Sequence, residues 1–191
     1  QYGRKVMNSG NYFSAEKLLN ISVKLDPLNS SIHGRIGMLQ YYLHNFDKAE
    51  QLYKTSLSIH PQDFTTWYNL GELYFTQANR KRYIEDVSNL RIKSIDAFLK
   101  TLTYNSDHPW AHYKVGVLLN NNKQFKEAIN HFKKAKKNFP ENSDLLLQLA
   151  LANEKIGNNQ AALQYLEKAY YIDPFNKVIS SKLRGVKAKV L

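Results

Sequence analysis

Few side chains in this 191-residue chain are spaced to do chemistry. His108 and His112 lie four apart, a spacing that on one helix would present two imidazoles on one face as half of a metal site. Pro109 stands between them and suits the first turn of a helix, where its missing N–H costs nothing. The pair therefore reads as a helix-end histidine followed by a packed one. Cysteine is absent, which removes disulfides, thiolate metal sites and cysteine nucleophiles together. The eight glycines are isolated, leaving no loop to cradle a phosphate. No serine, histidine and acid cluster as nucleophile, base and orienting group. The expectation is a protein that is not an enzyme, with no metal and no cofactor. What the chain does carry is aromatic and cationic: 13 Tyr, 9 Phe, 2 Trp and a formal charge of +11. Tyrosine and tryptophan join a large apolar area to a polar tip, which suits a contact surface.

The elements that must position these residues recur along the chain. Trp67, Leu70, Gly71 and Tyr74 set one spacing: a large apolar residue, Leu three later, then Gly, then an aromatic three later. His112, Val115, Gly116 and Leu119 echo it, as do His33, Ile36 and Gly37, and Leu146, Leu149 and Ala150. A second pattern follows each copy: Ala49 and Tyr53 before Pro61, Ala128 and Phe132 before Pro140, Ala162 and Leu166 before Pro174. A half copy runs from Ala15 and Leu19 to Pro27. Pro27 and Pro61 are 34 residues apart, as are Ser106 and Pro140, and Pro140 and Pro174. From Pro61 to Ser106 the interval is 45, one period plus 11. A period of this length means repeats that bury their apolar faces only by stacking. The two patterns together resemble the signature of the tetratricopeptide repeat (TPR) family, W-x2-L-G-x2-Y, then A-x3-F, then P. The resemblance covers nearly the whole chain.

It implies an all-α fold, a right-handed α-solenoid of helix-turn-helix repeats, in a single domain over residues 1–191. The spans are a truncated repeat at 1–29, repeats at 30–63, 64–108, 109–142 and 143–176, and a capping helix at 177–191. The third repeat holds the 11-residue insertion, expected as a loop near residues 79–87 or as a longer hairpin tip. Turns are expected at His44 and Asn45, at Asn120, Asn121 and Asn122, and at Gly157, Asn158 and Asn159. Gly37, Gly71 and Gly116, with Ala150 in the same slot, let paired helices approach closely, and Ala49, Ser94, Ala128 and Ala162 give clearance from the partner helix. Tyr53, Phe98, Phe132 and Leu166 fill the space between pairs. In the cap, Val178, Ile179, Leu183 and Val186 supply a buried side, while Lys182, Arg184, Lys187 and Lys189 face out. The chain starts at Gln1 partway through what should be a repeat's first helix, which reads as a fragment. No apolar run approaches the ~18 residues of a membrane span, no signal peptide leads the chain, and the cytoplasm is the default compartment.

In the TPR family the first helices line a concave groove, and the resemblance carries those positions onto this chain. Gly34, Tyr68, Tyr113 and Leu147 follow the first large apolar residue, and Met38, Glu72, Val117 and Leu151 follow the small one. Tyr41, Phe75, Asn120 and Glu154 come next, with Tyr42, Thr76, Asn121 and Lys155 beside them and Trp110 near the edge of the fourth repeat. The carboxylate clamp of chaperone-binding members is absent, since its Lys and Asn positions hold Tyr68 and Glu72, or Tyr113 and Val117. An asparagine ladder for peptide backbone is absent too: the matching positions are Arg35, Asn69, Lys114 and Gln148. The remaining groove is aromatic, through Tyr41, Tyr42, Tyr68, Phe75, Trp110 and Tyr113, with Met38 and Val117. It is expected to hold an extended or helical segment of another protein, although some rings, Tyr41 first, are candidates for packing between repeats.

The charge supports a second reading. Residues 109–142 carry seven lysines against two acids, and residues 177–191 carry five basic residues and no acid. Lys133, Lys134, Lys136 and Lys137 fall on a second helix and so on the convex side; with Lys182, Arg184, Lys187 and Lys189 they could form a stripe for nucleic acid or an anionic membrane surface. The plainer account is a solvated face with surplus lysines.

Overall fold

A computed structural model describes the backbone of residues 12–80 and 84–190. The first-helix end and turn expected over residues 1–11 lie outside them. Among the described residues every regular element is helical. In chain order they are α1 (Tyr12–Leu25), α2 (Ser30–Tyr42), α3 (Phe46–Ile59), α4 (Phe64–Arg80), α5 (Ile84–Tyr104), α6 (Pro109–Asn121), α7 (Phe125–Lys136), α8 (Ser143–Lys155), α9 (Asn159–Ile172) and α10 (Lys177–Val190). They divide into two compact units, one ending at Tyr104 and the other starting at Asn105.

The start of a repeat's first helix is marked by a cap two residues after Pro27, Pro61, Pro140 and Pro174. Asn29 and Asn142 accept from the backbone N–H groups of Ile32 and Leu145. Asp63 accepts from the Thr65 N–H, and Asn176 from the N–H groups of Val178 and Ile179. Each cap satisfies donors that the helix itself leaves unpaired. First helices end just as regularly, with His44 and Lys123 at φ 63° and Gly157 at φ 81°. The amide after each reaches back five residues: Asn45 to Gln40 O, Gln124 to Leu119 O and Asn158 to Asn153 O, each at 2.9 Å. This left-handed stop absorbs carbonyls at the helix end. It also moves the turn expected at Asn120–Asn122: Asn120 and Asn121 belong to the last turn of α6, and Lys123 makes the reversal.

One period after His44 stands Ala78, which is buried inside α4 rather than forming a left-handed stop. The helix runs on to Arg80, and α5 takes up again at Ile84. The insertion thus lengthens both helices of one hairpin, to 17 and 21 residues. Over the described residues it follows the longer-tip alternative; residues 81–83 lie outside them.

Packing within each hairpin turns on one contact. A Cβ added to Gly37 would lie 2.8 Å from the Tyr53 ring, at Gly71 2.7 Å from Phe98, and at Gly116 2.6 Å from Phe132. Each ring is fully buried and lies against its own hairpin's glycine. The fourth hairpin pairs Ala150 with Leu166, a larger residue facing a smaller one. In the second unit, Ile179, Leu183 and Val186 of α10 close the core over Leu146, Leu147 and Ala150. Val178, expected in that buried set, is exposed.

Candidate partner-binding site

The groove positions divide between the units, and each unit is built on its own. In the first, α2 and α4 present Met38, Tyr41, Tyr42, Tyr68, Asn69, Glu72 and Phe75, all half-buried. The Tyr41 ring lies 5.5 Å from Tyr42 and 5.9 Å from Phe46, and its hydroxyl bonds Thr76 Oγ1 at 2.8 Å. Arg80 covers the other side of the cluster, 5.2 Å from the Phe46 ring. Tyr68 leans on Phe98, ring centroids 5.5 Å apart, and its hydroxyl donates to the Glu72 carboxylate. Burial first, then the Glu72 charge, raises the Tyr68 phenol above its usual range. Burial likewise raises Tyr41. The rings are therefore held in place by their neighbours and remain half-buried.

In the second unit Trp110 is 44% exposed and lies 4.5 Å from Phe139 and edge-on to Tyr113 at 6.0 Å. Tyr113 rests on Phe132 at 6.1 Å, and its phenol is raised by burial, then by the Asp144 charge. Val117 is half-buried and Asn121 exposed. Asn120 donates from Nδ2 to Gln148 Oε1 at 3.3 Å, while its buried Oδ1 has no partner among the described residues. Two positions carried over from the family do not line a groove: Gly34 and Leu147 are buried. The space that a Gly34 side chain would need is held by Thr66 Oγ1, 3.0 Å away, and Leu147 is covered by the α10 core.

The histidine pair takes a different arrangement from the one its spacing suggests. His108 is the N-cap of α6, its Nδ1 accepting from the Ala111 N–H at 3.1 Å. The His112 ring reaches back six residues to the Ser106 carbonyl through Nε2 at 2.9 Å. His33 does the same to the Pro27 carbonyl, and Trp67, which can only donate, to that of Pro61, each at 2.8 Å. Donation through Nε2 leaves His112 Nδ1 as an acceptor, and it faces His131 Nδ1 at 3.0 Å, so His131 supplies the proton. Burial, then His112 and Lys134, lowers His131 to about 4. Burial also lowers His112 and His108. This is a neutral, hydrogen-bonded pair between α6 and α7. Among the described residues no three His, Cys, Asp or Glu side chains gather as metal ligands.

The basic residues differ in their partners. Lys182 lies 3.8 Å from Glu154, Lys189 bonds the other oxygen of that carboxylate, and Lys187 lies 3.5 Å from Glu167. The Lys189 ammonium holds the Glu154 carboxyl below its usual range against the opposing effect of burial. Lys133, Lys134, Lys137 and Arg184 are exposed and Lys136 is half-buried.

Sequence spacing misses Phe46, Phe139 and His131, and gives Gln148 as a ladder position without its bond to Asn120. Phe139 leaves a signal, an aromatic immediately before Pro140 where the other repeats carry Asp26, His60 and Asp173. His131 leaves none, because the position 19 residues after His33, its counterpart in the earlier repeat, is Leu52.

Among known proteins, a family model described as tetratricopeptide repeat matches residues 35–82 and 117–177. The chain is 23% identical over 165 residues to the BBSome complex member BBS4 homolog of Drosophila melanogaster, covering 86% of this chain and 34% of that protein. It is 31% identical over 104 residues to a peroxisomal targeting signal receptor of Candida albicans, covering 54% of this chain and 16% of the receptor. It thus spans about a third or less of the length of these curated relatives. Among solved structures, MamA 41-end from Desulfovibrio magneticus RS-1 superposes with a TM-score of 0.72 at 14% identity, covering 91% of this chain and 92% of that one. The thermophilic TPR protein TTC0263 of Thermus thermophilus gives 0.65 at 16% identity, over 98% and 96%. These similarities are of fold.

Proposed function

We infer the function from one premise: the chain belongs to the tetratricopeptide repeat family, whose members generally mediate protein–protein interaction. On our reading it is a non-catalytic adaptor or scaffold module whose repeats span 30–63, 64–108, 109–142 and 143–176. Within each unit the first helices take an extended or helical segment of a partner protein on their aromatic side. The observation that carries this reading is the pair of preset aromatic clusters, Tyr41 and Tyr42 in one unit and Trp110 and Tyr113 in the other. In both, the rings pack against one another yet stay half-buried or, for Trp110, exposed. Ordering rings in advance removes an entropy cost that a partner would otherwise meet. Similarity to a targeting-signal receptor is compatible with capture of a protein segment. The convex basic stripe for nucleic acid or membrane has less support, because three of the cap's lysines are already paired with carboxylates.

The test is a crosslinked pull-down from native lysate at low and high salt, read by mass spectrometry, with wild type, Tyr42→Ala and Trp110→Ala as baits. These two are chosen because Tyr68 and Tyr113 also buttress Phe98 and Phe132, so truncating them would confound binding with folding. Partners held at high salt and lost with an aromatic variant are the expected result. Partners that ignore both variants and dissociate with salt would refute the groove.

A further inference from the structure

We propose a second interaction surface, outside the groove. The valley between the C-terminal end of α7 and α9 takes a short acidic segment of a partner protein, with an apolar side chain next to its carboxylates. At one end, Lys133, Lys136, Lys137 and Tyr165 line an open depression of about 360 Å³. The three lysines follow an i, i+3, i+4 spacing and so share a helix face. The Lys136 ammonium lies over the Tyr165 ring at 5.3 Å, held by a neighbouring helix. Among the described residues no ion pair reaches these three lysines, in contrast to Lys182, Lys187 and Lys189. A helix C-terminus favours cations through its dipole, which accounts for lysines in the last turn of α7. It does not account for an aromatic face on α9 opposite them, or for the hollow between.

A second, larger hollow of about 980 Å³ opens between the loop that follows α7 and the α9 helix, with Pro140, Tyr171 and Ile172 as apolar lining and Glu141, Gln164, Glu167 and Lys168 as polar lining. Tyr171 is 88% exposed, a full aromatic side chain left in solvent beside a cationic pocket. The charge pattern selects the occupant. A nucleic acid needs cations along its whole track, and beyond the three lysines the lining turns to Pro140, Tyr171 and Ile172, with Glu141 and Glu167 offsetting Lys168. A peptide with adjacent carboxylates and one apolar side chain fills both ends, acid on the lysines and apolar group on Tyr171.

The probe is a fluorescein-labelled peptide in which one leucine precedes four glutamates, read by anisotropy at about 50 mM salt, where exposed charges are only partly screened. A glutamine version, a thymidine oligonucleotide and phosphatidylcholine–phosphatidylserine vesicles run alongside. The acidic peptide should bind and the glutamine peptide should not. Lys133→Glu with Lys137→Glu should raise the Kd about tenfold, as expected for two lost exposed pairs turned repulsive. Tyr171→Ser should raise it about threefold, a fraction of an aromatic contact. Tyr42→Ala, in the first unit, should leave it unchanged, which separates this surface from the groove. Circular dichroism checks each variant, and Lys133→Gln with Lys137→Gln replaces the reversal if that fails to fold. Equal binding of the glutamine peptide, indifference to Tyr171→Ser, or tighter lysine-dependent binding of oligonucleotide or vesicles would each overturn the proposal.

Discussion

Replacing Gly116 by alanine should destabilise the second unit, and replacing Phe132 by leucine as well should restore much of the loss. The added methyl would lie 2.6, 2.7 and 3.0 Å from three atoms of the Phe132 ring, where ordinary contacts begin near 3.4 Å. The ring is fully buried and has nowhere open to go, so overpacking costs roughly 1–3 kcal/mol. Alanine recovers up to about 1 kcal/mol of helix propensity over glycine, leaving a net loss of about 1 kcal/mol at the middle of a range of about 0–2 kcal/mol. Phe132→Leu alone should lose about 1–2 kcal/mol through the cavity it leaves. Together the two create an Ala–Leu pair, the combination that Ala150 and Leu166 already form one repeat later. The double variant should therefore lie within about 1 kcal/mol of wild type, a coupling of about 1.5 kcal/mol or more. Urea unfolding of all four proteins measures it, with equal m-values required for the comparison. If the two single losses simply add, the methyl–ring clash is not what makes position 116 a glycine.

Lys123→Gly should stabilise by about 1 kcal/mol, because a side chain at φ 63° bears a strain that glycine lacks, and an upward shift in thermal midpoint would show it. The His112–His131 pair predicts acid sensitivity. Both folded pKa values lie below the ordinary 6.5, so the unfolded chain binds protons more tightly. Their contribution is complete above about 6.5 and is lost as pH falls towards the His131 value of about 4. Urea midpoints between pH 7 and 4.5 should fall, and His131→Gln should flatten the part due to that residue.

Much of the fold was legible because it is local and periodic. Prolines at a fixed interval, the small residues at Gly37, Gly71 and Gly116, and their aromatic answers at Tyr53, Phe98 and Phe132 are written as spacings along one hairpin. The start of α6 at Pro109 and of α3 at Phe46 follows from the same local rules. The aromatic residues of the candidate groove were also legible, but only as positions. Which of their atoms stay accessible was not, since Gly34 and Leu147 share the same periodic slot as Tyr68 and Tyr113 and are buried.

The sequence by itself determined the all-α repeat class, the helix pairs and the residues of their cores, because helix periodicity and repeat length act over a few turns of chain. Tertiary structure alone decided the partners of the polar side chains. Asn120 meets Gln148 28 residues on, Tyr41 meets Thr76 and Lys189 meets Glu154 at separations of 35, and His112 meets His131 at 19. It likewise decided that, over the described residues, the insertion lengthens two helices. Apart from the His112–His131 pair, which joins the two helices of one hairpin, these are meetings of one repeat's side chains with the next element in the stack, and they depend on which rotamers and charges face each other, information that no single repeat contains.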